Sequence, residues 1–359
     1  MNRRSVARTA EGEDERRGVS TLWWDDEVPD LTTTTHLTDD AVAAVRALAA
    51  VAQAHDGIEA LGEQTLLRLT DGDVAHVVVR AADGVAGAAD SADRAEGGEQ
   101  AEGGEQADGG EAGVVGYAQV DLGGPAGQPA STELVVAPAH RRRGVGRALL
   151  DAATAAARAA GRPGVVVWAH GDLPGAQALG ATAGLRVTRE LWQMARPLTG
   201  ADAAGAPAPA PDGVAVRPFV VGRDEDAWVE VNARAFASHP EQGRMTRADE
   251  REPWFDPEDL LLAERDGRLV ASVWMKVEPG SDVGELYALG VDPDEQGTGL
   301  GRFLTDRVVR HLAGKGLATA ELYVEGDNQP AVRTYTRAGF TRSRVDVQYG
   351  APGPAGTAP

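Results

Sequence analysis

The chain has 359 residues, 42% hydrophobic and 25% charged, a globular composition long enough for two domains that each bury a core. A net charge of -20, from 35 Lys and Arg against 55 Asp and Glu, argues against nucleic acid as the main partner, so any phosphate site must be local. Cysteine is absent, which excludes disulfides, thiolate metal sites and a cysteine nucleophile. No apolar run is long enough for a signal peptide or a membrane span, and the expectation is a soluble cytoplasmic monomer with no membrane partner.

Residues 1–33 carry mixed charge and a Trp23-Trp24 pair without periodicity, and read as a disordered tail. A first domain is expected over 34–198. Thr38 caps a helix that sets Val42, Val45, Leu48 and Ala49 on one face. Strands over 74–80 and 114–120 flank an insert, 87–113, built on repeats of Ala-Glu-Gly-Gly-Glu-Gln that are too polar to bury anything, so it reads as a disordered hairpin loop. A Pro/Ala-rich linker over 199–212 marks the domain boundary. A strand over 214–218, a helix over 224–237 and strands over 260–263 and 269–277 then open a second domain, 213–350, followed by a tail, 351–359.

The same order of elements occurs twice. Setting Val136-Ala-Pro138 on Val291-Asp-Pro293 gives an offset of 155 positions, and without a gap Gly144 then falls on Gly299, Gly146 on Gly301, Gly171-Asp172 on Gly326-Asp327 and Gly184 on Gly339. A period this long means two whole domains, since solenoid repeats run about 20–50 residues.

In each copy a short apolar strand, a proline and a Gly-rich turn lead into an amphipathic helix; in the second copy Phe303, Leu304, Val308 and Leu312 form the apolar face. Such a turn lets backbone N–H groups approach a phosphate, and the helix N-terminus adds positive potential. No Gly-Lys-Ser/Thr follows, which excludes a nucleotide P-loop, and Leu149 and Leu304 stand where a dinucleotide fingerprint needs its third glycine.

Arg141-Arg-Arg-Gly-Val-Gly146 and Gln296-Gly-Thr-Gly-Leu-Gly301 both resemble the Q/R-x-x-G-x-G/A signature of the GNAT acetyltransferases. The segment Asn328-Gln-Pro-Ala-Val-Arg-Thr-Tyr335, with Gly339-Phe340 beyond it, resembles that family's closing helix. The tandem is similar to the mycothiol synthase family in Gly62-Glu-Gln64, Trp168-Ala-His170, His239-Pro-Glu-Gln-Gly243, Trp254-Phe-Asp256, Met275-Lys-Val277 and Leu322-Tyr-Val-Glu325. This resemblance implies an α/β (α+β) fold of two tandem GNAT domains, each a mixed, mostly antiparallel sheet flanked by helices. It implies an acetyltransferase that uses acetyl-CoA and no metal, with the cysteinyl amine of cysteine–glucosamine–inositol as its small-molecule acceptor.

The resemblance further implies cofactor contacts at Leu134, Val135, Val136, Arg142, Arg143, Gly144, Val145, Gly146 and Arg147 in the first copy. In the second it implies Leu289, Gly290, Val291, Gln296, Gly297, Thr298, Gly299, Leu300, Gly301 and Arg302, with Asn328, Gln329, Pro330, Ala331, Val332 and Arg333 on the closing helix. Acceptor contacts are implied at Glu63, Glu241, Lys276, Glu285 and Tyr323. Acetyl transfer to an amine needs a base, an oxyanion donor and a proton for the thiolate. Glu285 is the expected base and Tyr335 the expected acid. At the offset these become Ala130 and Gly180, so the first copy is expected to be catalytically degenerate. Other acceptors, such as an aminoglycoside, a polyamine or a peptide N-terminus, stay open at this stage, as does a non-enzymatic acyl-CoA-binding module. So do a packing role for the Tyr335 ring and a solvated one for Glu285.

Overall fold

A computed structural model describes residues 30–81, 113–237 and 254–352 of the chain. Most of the tail expected over 1–33, nearly all of the insert expected over 87–113 and most of the 351–359 tail lie outside the described residues. The first half runs β1 (Asp30–Thr34), α1 (Asp39–Asp56), α2 (Glu63–Leu67), β2 (Val74–Arg80), β3 (Val114–Asp121), β4 (Ala130–Val136), α3 (Val145–Ala159), β5 (Val165–Ala169), α4 (Pro174–Thr182) and β6 (Arg186–Pro197). After α5 (Gly200–Ala204) the second half runs β7 (Val214–Pro218), α6 (Glu225–Ala235), β8 (Leu260–Arg265), β9 (Arg268–Lys276), β10 (Val283–Val291), α7 (Leu300–Gly314), β11 (Thr319–Glu325), α8 (Gln329–Arg337) and β12 (Thr341–Gly350). The offset read from the sequence carries α3 onto α7 and α4 onto α8 end for end.

Two stretches differ from the sequence reading. β1 begins at Asp30, inside the stretch expected to be a tail, because a run of threonines, whose branched side chains suit a strand, pairs with β2 from Asp30↔Arg80 to Thr34↔His76. The stretch expected as a plain linker contains α5, whose first turn is closed by reciprocal Thr199 and Asp202 capping bonds. Arg310 of α7 donates to the Asp202 and Ala203 carbonyls and ties α5 down.

Instead of one sheet per domain, the strands form a single 12-stranded sheet in the order β1-β2-β3-β4-β5-β12-β6-β11-β10-β9-β8-β7. The closing strands β6 and β12, equivalent by the offset, trade places: β12 pairs with β5 of the first half, and β6 pairs with β11 of the second. They also pair with each other, from Thr341↔Ala195 to Gly350↔Arg186. The exchange leaves no unpaired strand edge between the halves.

Alternation along the strands sorts the side chains to two faces. On one face α7 and α8 pack over Val273, Met275, Leu286, Leu322 and Val324, and α3 over Val120, Val165 and Val167. On the other, α1 covers Val78 and Tyr117, while α6 covers Trp274 through Trp228. The middle strands β11, β6 and β12 carry polar side chains on this second face. The N-terminus of α2 reaches across them, because Glu63 pairs with Lys276 of β9 at 3.2 Å. Among the described residues no helix is long and apolar enough to cross a membrane.

Candidate active site

The second Gly-rich turn is shaped for an anion. Gly297 and Gly299 have φ of 77° and 93°, in the left-handed region that favours glycine, and Gly299 caps α7 without any side-chain bond. A Cβ added at Gly297, Gly299 or Gly301 would meet nothing within 4 Å, and the first turn of α7 holds no acidic residue. The first N–H groups of the helix are thus free of side-chain partners, which fits a phosphate group. Gln296, Thr298 and Arg302 are exposed around the turn, and Leu300 anchors it in the core. The Gln296 amide donates back to the Val291 carbonyl at 3.4 Å, and the Thr298 hydroxyl donates to the Glu295 carbonyl at 2.7 Å.

Upstream of this turn the sheet opens. β10 pairs in parallel with β11 only from Val283↔Thr319 to Leu286↔Leu322, and a bulge between Leu286 and Ala288 then turns it away. Leu289, Gly290 and Val291 keep partners on β9 alone, so alternate N–H groups along their other edge look into a gap between β10 and β11. α8 follows β11 at this gap, with Asn328, Gln329, Pro330 and Arg333 exposed and Ala331 and Val332 half-buried. Asn328 is the N-cap of α8: its side-chain carbonyl accepts from the Ala331 N–H at 3.2 Å, leaving its amide nitrogen for another partner.

Glu285 and Tyr335 lie on opposite faces of the sheet that carries this gap. Glu285 precedes Leu286, which points into the α7 face, so the Glu285 side chain lies on the α6 face with its register neighbours Lys276 and Glu321. Burial raises its pKa to about 7; Lys276 opposes the shift, whereas Glu321, Glu63 and Glu278 add to it. Tyr335 packs into the α7 face against Phe340 at a ring separation of 6.2 Å. Burial raises the phenol to about 12, and its hydroxyl has no hydrogen-bond partner among the described residues.

The Glu285 face gathers three more of the residues expected there. The ammonium of Lys276 lies 3.2 Å from Glu63, 3.0 Å from Glu278 and 5.3 Å from the Trp254 ring centroid. Burial works against this ammonium, but Glu278 and Glu63 outweigh it and raise its pKa. Tyr323 of β11 accepts a bond from the Gln193 amide at 3.1 Å, and burial raises its phenol to about 12. Glu241 lies outside the described residues.

Sequence reasoning missed several neighbours of these groups. Glu321, two positions before Tyr323 on the same face of β11, accepts from Gln193 at 3.1 Å, and strand alternation was the available signal. Gln193 and Arg344 could not be found that way, since only the strand exchange brings them here. Farther along, His170 lies 3.2 Å from Asp346 and 3.4 Å from Glu133, and Glu133 accepts from the Gly62 N–H at 2.7 Å, one residue before Glu63. Burial disfavours the imidazolium, yet Asp346 and Glu133 prevail and hold its pKa at about 10. This chain of charges joins the closing strand of the second half to the α2 loop of the first.

The first copy keeps the scaffold with other contents. β4 pairs with β5 only from Ala130↔Val165 to Glu133↔Trp168, so Leu134, Val135 and Val136 also leave the parallel pair. Gly144 caps α3 with φ of 84°, and Arg142, at the position of Gly297, is held at φ of 63°. Arg142 and Arg143 are exposed, Val145 is buried, Gly146 is half-buried, and Arg147 pairs with Asp151 at 2.9 Å. Arg141 is spent on Asp56, with two bonds of 2.7 and 2.6 Å. At Gly180, the position of Tyr335, a Cβ would lie 2.8 Å from the Tyr349 ring of the exchanged strand.

Comparison with known proteins agrees with this architecture. The sequence profile of the Acetyltransferase (GNAT) family matches residues 227–340, and that of an Acetyltransferase (GNAT) domain matches residues 106–180. Among solved structures, a GCN5-related N-acetyltransferase from Sphaerobacter thermophilus aligns with a TM-score of 0.63 at 24% identity, covering 90% of this chain and 96% of that one. A tandem GNAT protein from the clavulanic acid biosynthesis pathway aligns with a TM-score of 0.62 at 19% identity, covering 90% and 98%. At those identities they show the fold. The mycothiol acetyltransferase of Cellulomonas flavigena is 52% identical over 87% of this chain and 86% of its own length, and that of Sanguibacter keddieii is 47% identical over 90% and 96%. With a tandem GNAT fold and relatives this similar over nearly the whole chain, the protein is an acetyltransferase and belongs to the mycothiol acetyltransferase family.

Proposed function

We propose that the chain transfers the acetyl group of acetyl-CoA to the cysteinyl amine of cysteine–glucosamine–inositol, giving mycothiol. The observation that carries this reading is that Glu285 and Tyr335 lie on opposite faces of the sheet whose strands β10 and β11 part beyond Leu286. Acetyl-CoA supplies an activated thioester. The open turn of Gln296, Gly297, Thr298, Gly299, Leu300, Gly301 and Arg302 suits its pyrophosphate, with Asn328 to Arg333 beside the gap.

An amine arriving on the Glu285 face must lose a proton. A carboxylate titrating at about 7 is largely ionised just above neutrality and still basic enough to accept that proton, directly or through water. The acceptor α-amine has a reference pKa of about 7.7–8.0, so much of it is already neutral there. N–H groups of Leu289 to Val291 along the gap are the donors for the oxyanion. Tyr335, un-ionised up to about pH 12, holds a proton on the other face for the departing thiolate. The first copy has no group at either position and serves as scaffold, and we propose the division at the α5 segment between a degenerate first domain and a catalytic second one. The protein acts as a monomer, since both halves of the site come from one chain.

The test is to follow acetyl-CoA consumption by chromatography with a panel of acceptors: the cysteinyl conjugate, an aminoglycoside, spermidine and a lysine-rich peptide. The conjugate should react at least about a hundredfold faster than the lysine peptide, whose amines, with a reference pKa near 10.4, are almost wholly protonated. Comparable rates across the panel would overturn the acceptor assignment.

A further inference from the structure

The strand exchange has placed a polar floor beside the catalytic carboxylate. β11, β6 and β12 lie side by side next to β10, and register sets Tyr323 opposite Gln193 and Gln193 opposite Arg344. These side chains share the Glu285 face, because their neighbours Leu322 and Met194 point the other way into the α7 core. With strands about 4.8 Å apart, the three positions extend the site by roughly 10–15 Å from Glu285. That is the reach of an acceptor far longer than its reacting amine.

The hydrogen-bond directions on this floor are determined by chemistry. The Gln193 amide nitrogen donates both to Glu321 and to the Tyr323 hydroxyl, each at 3.1 Å. Arg344, which has only donors, lies 3.5 Å from the same hydroxyl. With its lone pairs facing donors, Tyr323 must turn its own proton elsewhere, toward whatever occupies the cleft. Arg344 is held in place by Asp346, with its Nε 3.2 Å from one carboxylate oxygen and a terminal nitrogen 3.5 Å from the other. Its contacts to Tyr323 and Asp346 use Nε and one terminal nitrogen, and a half-buried guanidinium whose second terminal nitrogen makes no hydrogen bond among the described residues, next to a phenol obliged to donate, is suited to the hydroxyl and ether oxygens of a polyol.

We propose that Gln193 and Arg344, one from each exchanged strand, are specificity-determining residues that read the hydroxyl-bearing part of the acceptor, with Tyr323 oriented by them as a donor. Gln193 belongs to the first half of the chain, so the degenerate copy supplies part of the acceptor site of the catalytic one. The proposal rests on the reading of the acceptor as a cysteinyl amine joined to a sugar and a cyclitol.

The experiment compares two acceptors in the full-length protein: cysteine–glucosamine–inositol and cysteinamide, which keeps the reacting amine and lacks the polyol. Steady-state constants are measured for wild type, Gln193→Leu, Arg344→Leu and Arg344→Lys, with acetyl-CoA affinity measured separately by calorimetry. Wild type should prefer the full conjugate by kcat/KM. The two leucine variants should lose about ten- to a hundredfold on the conjugate, mainly through KM, and at least tenfold less on cysteinamide. Arg344→Lys, which keeps the charge but not the planar fork, should fall between. Equal losses on both acceptors, or no loss on the conjugate, overturn the proposal. If Arg344→Leu fails to fold, as judged by circular dichroism and the calorimetric binding of acetyl-CoA, Gln193→Leu and Arg344→Lys decide it alone. A wild type that binds acetyl-CoA yet acetylates neither acceptor overturns the underlying acceptor reading instead, and a wild type active on both without preference overturns only this proposal.

Discussion

The two halves of this protein share a scaffold to the residue and differ in a handful of side chains. Each has a strand that leaves its parallel neighbour, a left-handed glycine at the helix cap and a helix of 15 residues behind it. In the second half the strand carries Glu285 and its neighbour carries Lys276; at the same positions the first half has Ala130 and Asp121, the latter paired with Arg68 at 2.9 Å. Tyr335 has Gly180 as its counterpart, and the space a side chain would need there is taken by Tyr349. The first half has turned its polar groups to a different use. Glu63 meets Lys276, and Gln193 meets Glu321 and Tyr323, so the first half lends side chains to the region around Glu285 in its twin. On the proposed function, a duplicated fold gives up its own chemistry while becoming a wall and floor for the other copy.

The contrast is tested most severely at the two groups found in one copy only. Tyr335→Phe keeps the ring packing and should lower kcat by about 10²–10⁴, and Glu285→Gln should cause a loss of similar size, both read by steady-state kinetics with unchanged acetyl-CoA affinity. A fully active Phe variant would return Tyr335 to a packing role. Next in size is the pair of cap glycines. Gly299→Val places a branched side chain at φ of 93° in the open turn and should weaken acetyl-CoA binding by about a hundredfold, whereas Gly144→Val in the first copy should leave turnover within about threefold. Loss of turnover in folded Gly144→Val protein would move the chemistry, or a required cofactor, to the first half.

The pH profile sharpens the same contrast. Because the Glu285 pKa is raised to about 7, the base is protonated below that pH, and kcat/KM should fall about tenfold per unit on the acid side. Glu285→Gln should erase that limb and leave the one set by the acceptor amine, with recovery at high pH. Tyr335→Phe should show no such recovery. The smallest effect is expected at Gly180→Ala, where the new methyl meets the Tyr349 ring: a loss of about 1–3 kcal/mol in stability, measured by denaturant unfolding, without a change in turnover.

What the sequence by itself determined is local. The repeat offset, the two Gly-rich turns, the helices α3, α7, α4 and α8 and the positions of Glu285, Lys276, Tyr323 and Tyr335 follow from spacing and periodicity or from the resemblance those motifs carry, because each lies within a short stretch of chain. Glu321 was within reach of the same reasoning through strand alternation. Tertiary structure alone decided how the copies join. Either closing strand could have paired with its own half, since β6 and β12 are equivalent and local pattern does not distinguish their partners; their exchange is settled by which edges the assembled sheet leaves open. That choice, made between residues more than a hundred positions apart, brings Gln193, Arg344 and the His170–Asp346 pair to the site. Tertiary structure also sets the Glu285 pKa: burial raises it, and of the carboxylates that add to the shift Glu63 comes from the other half of the chain, beyond the range of any sequence window.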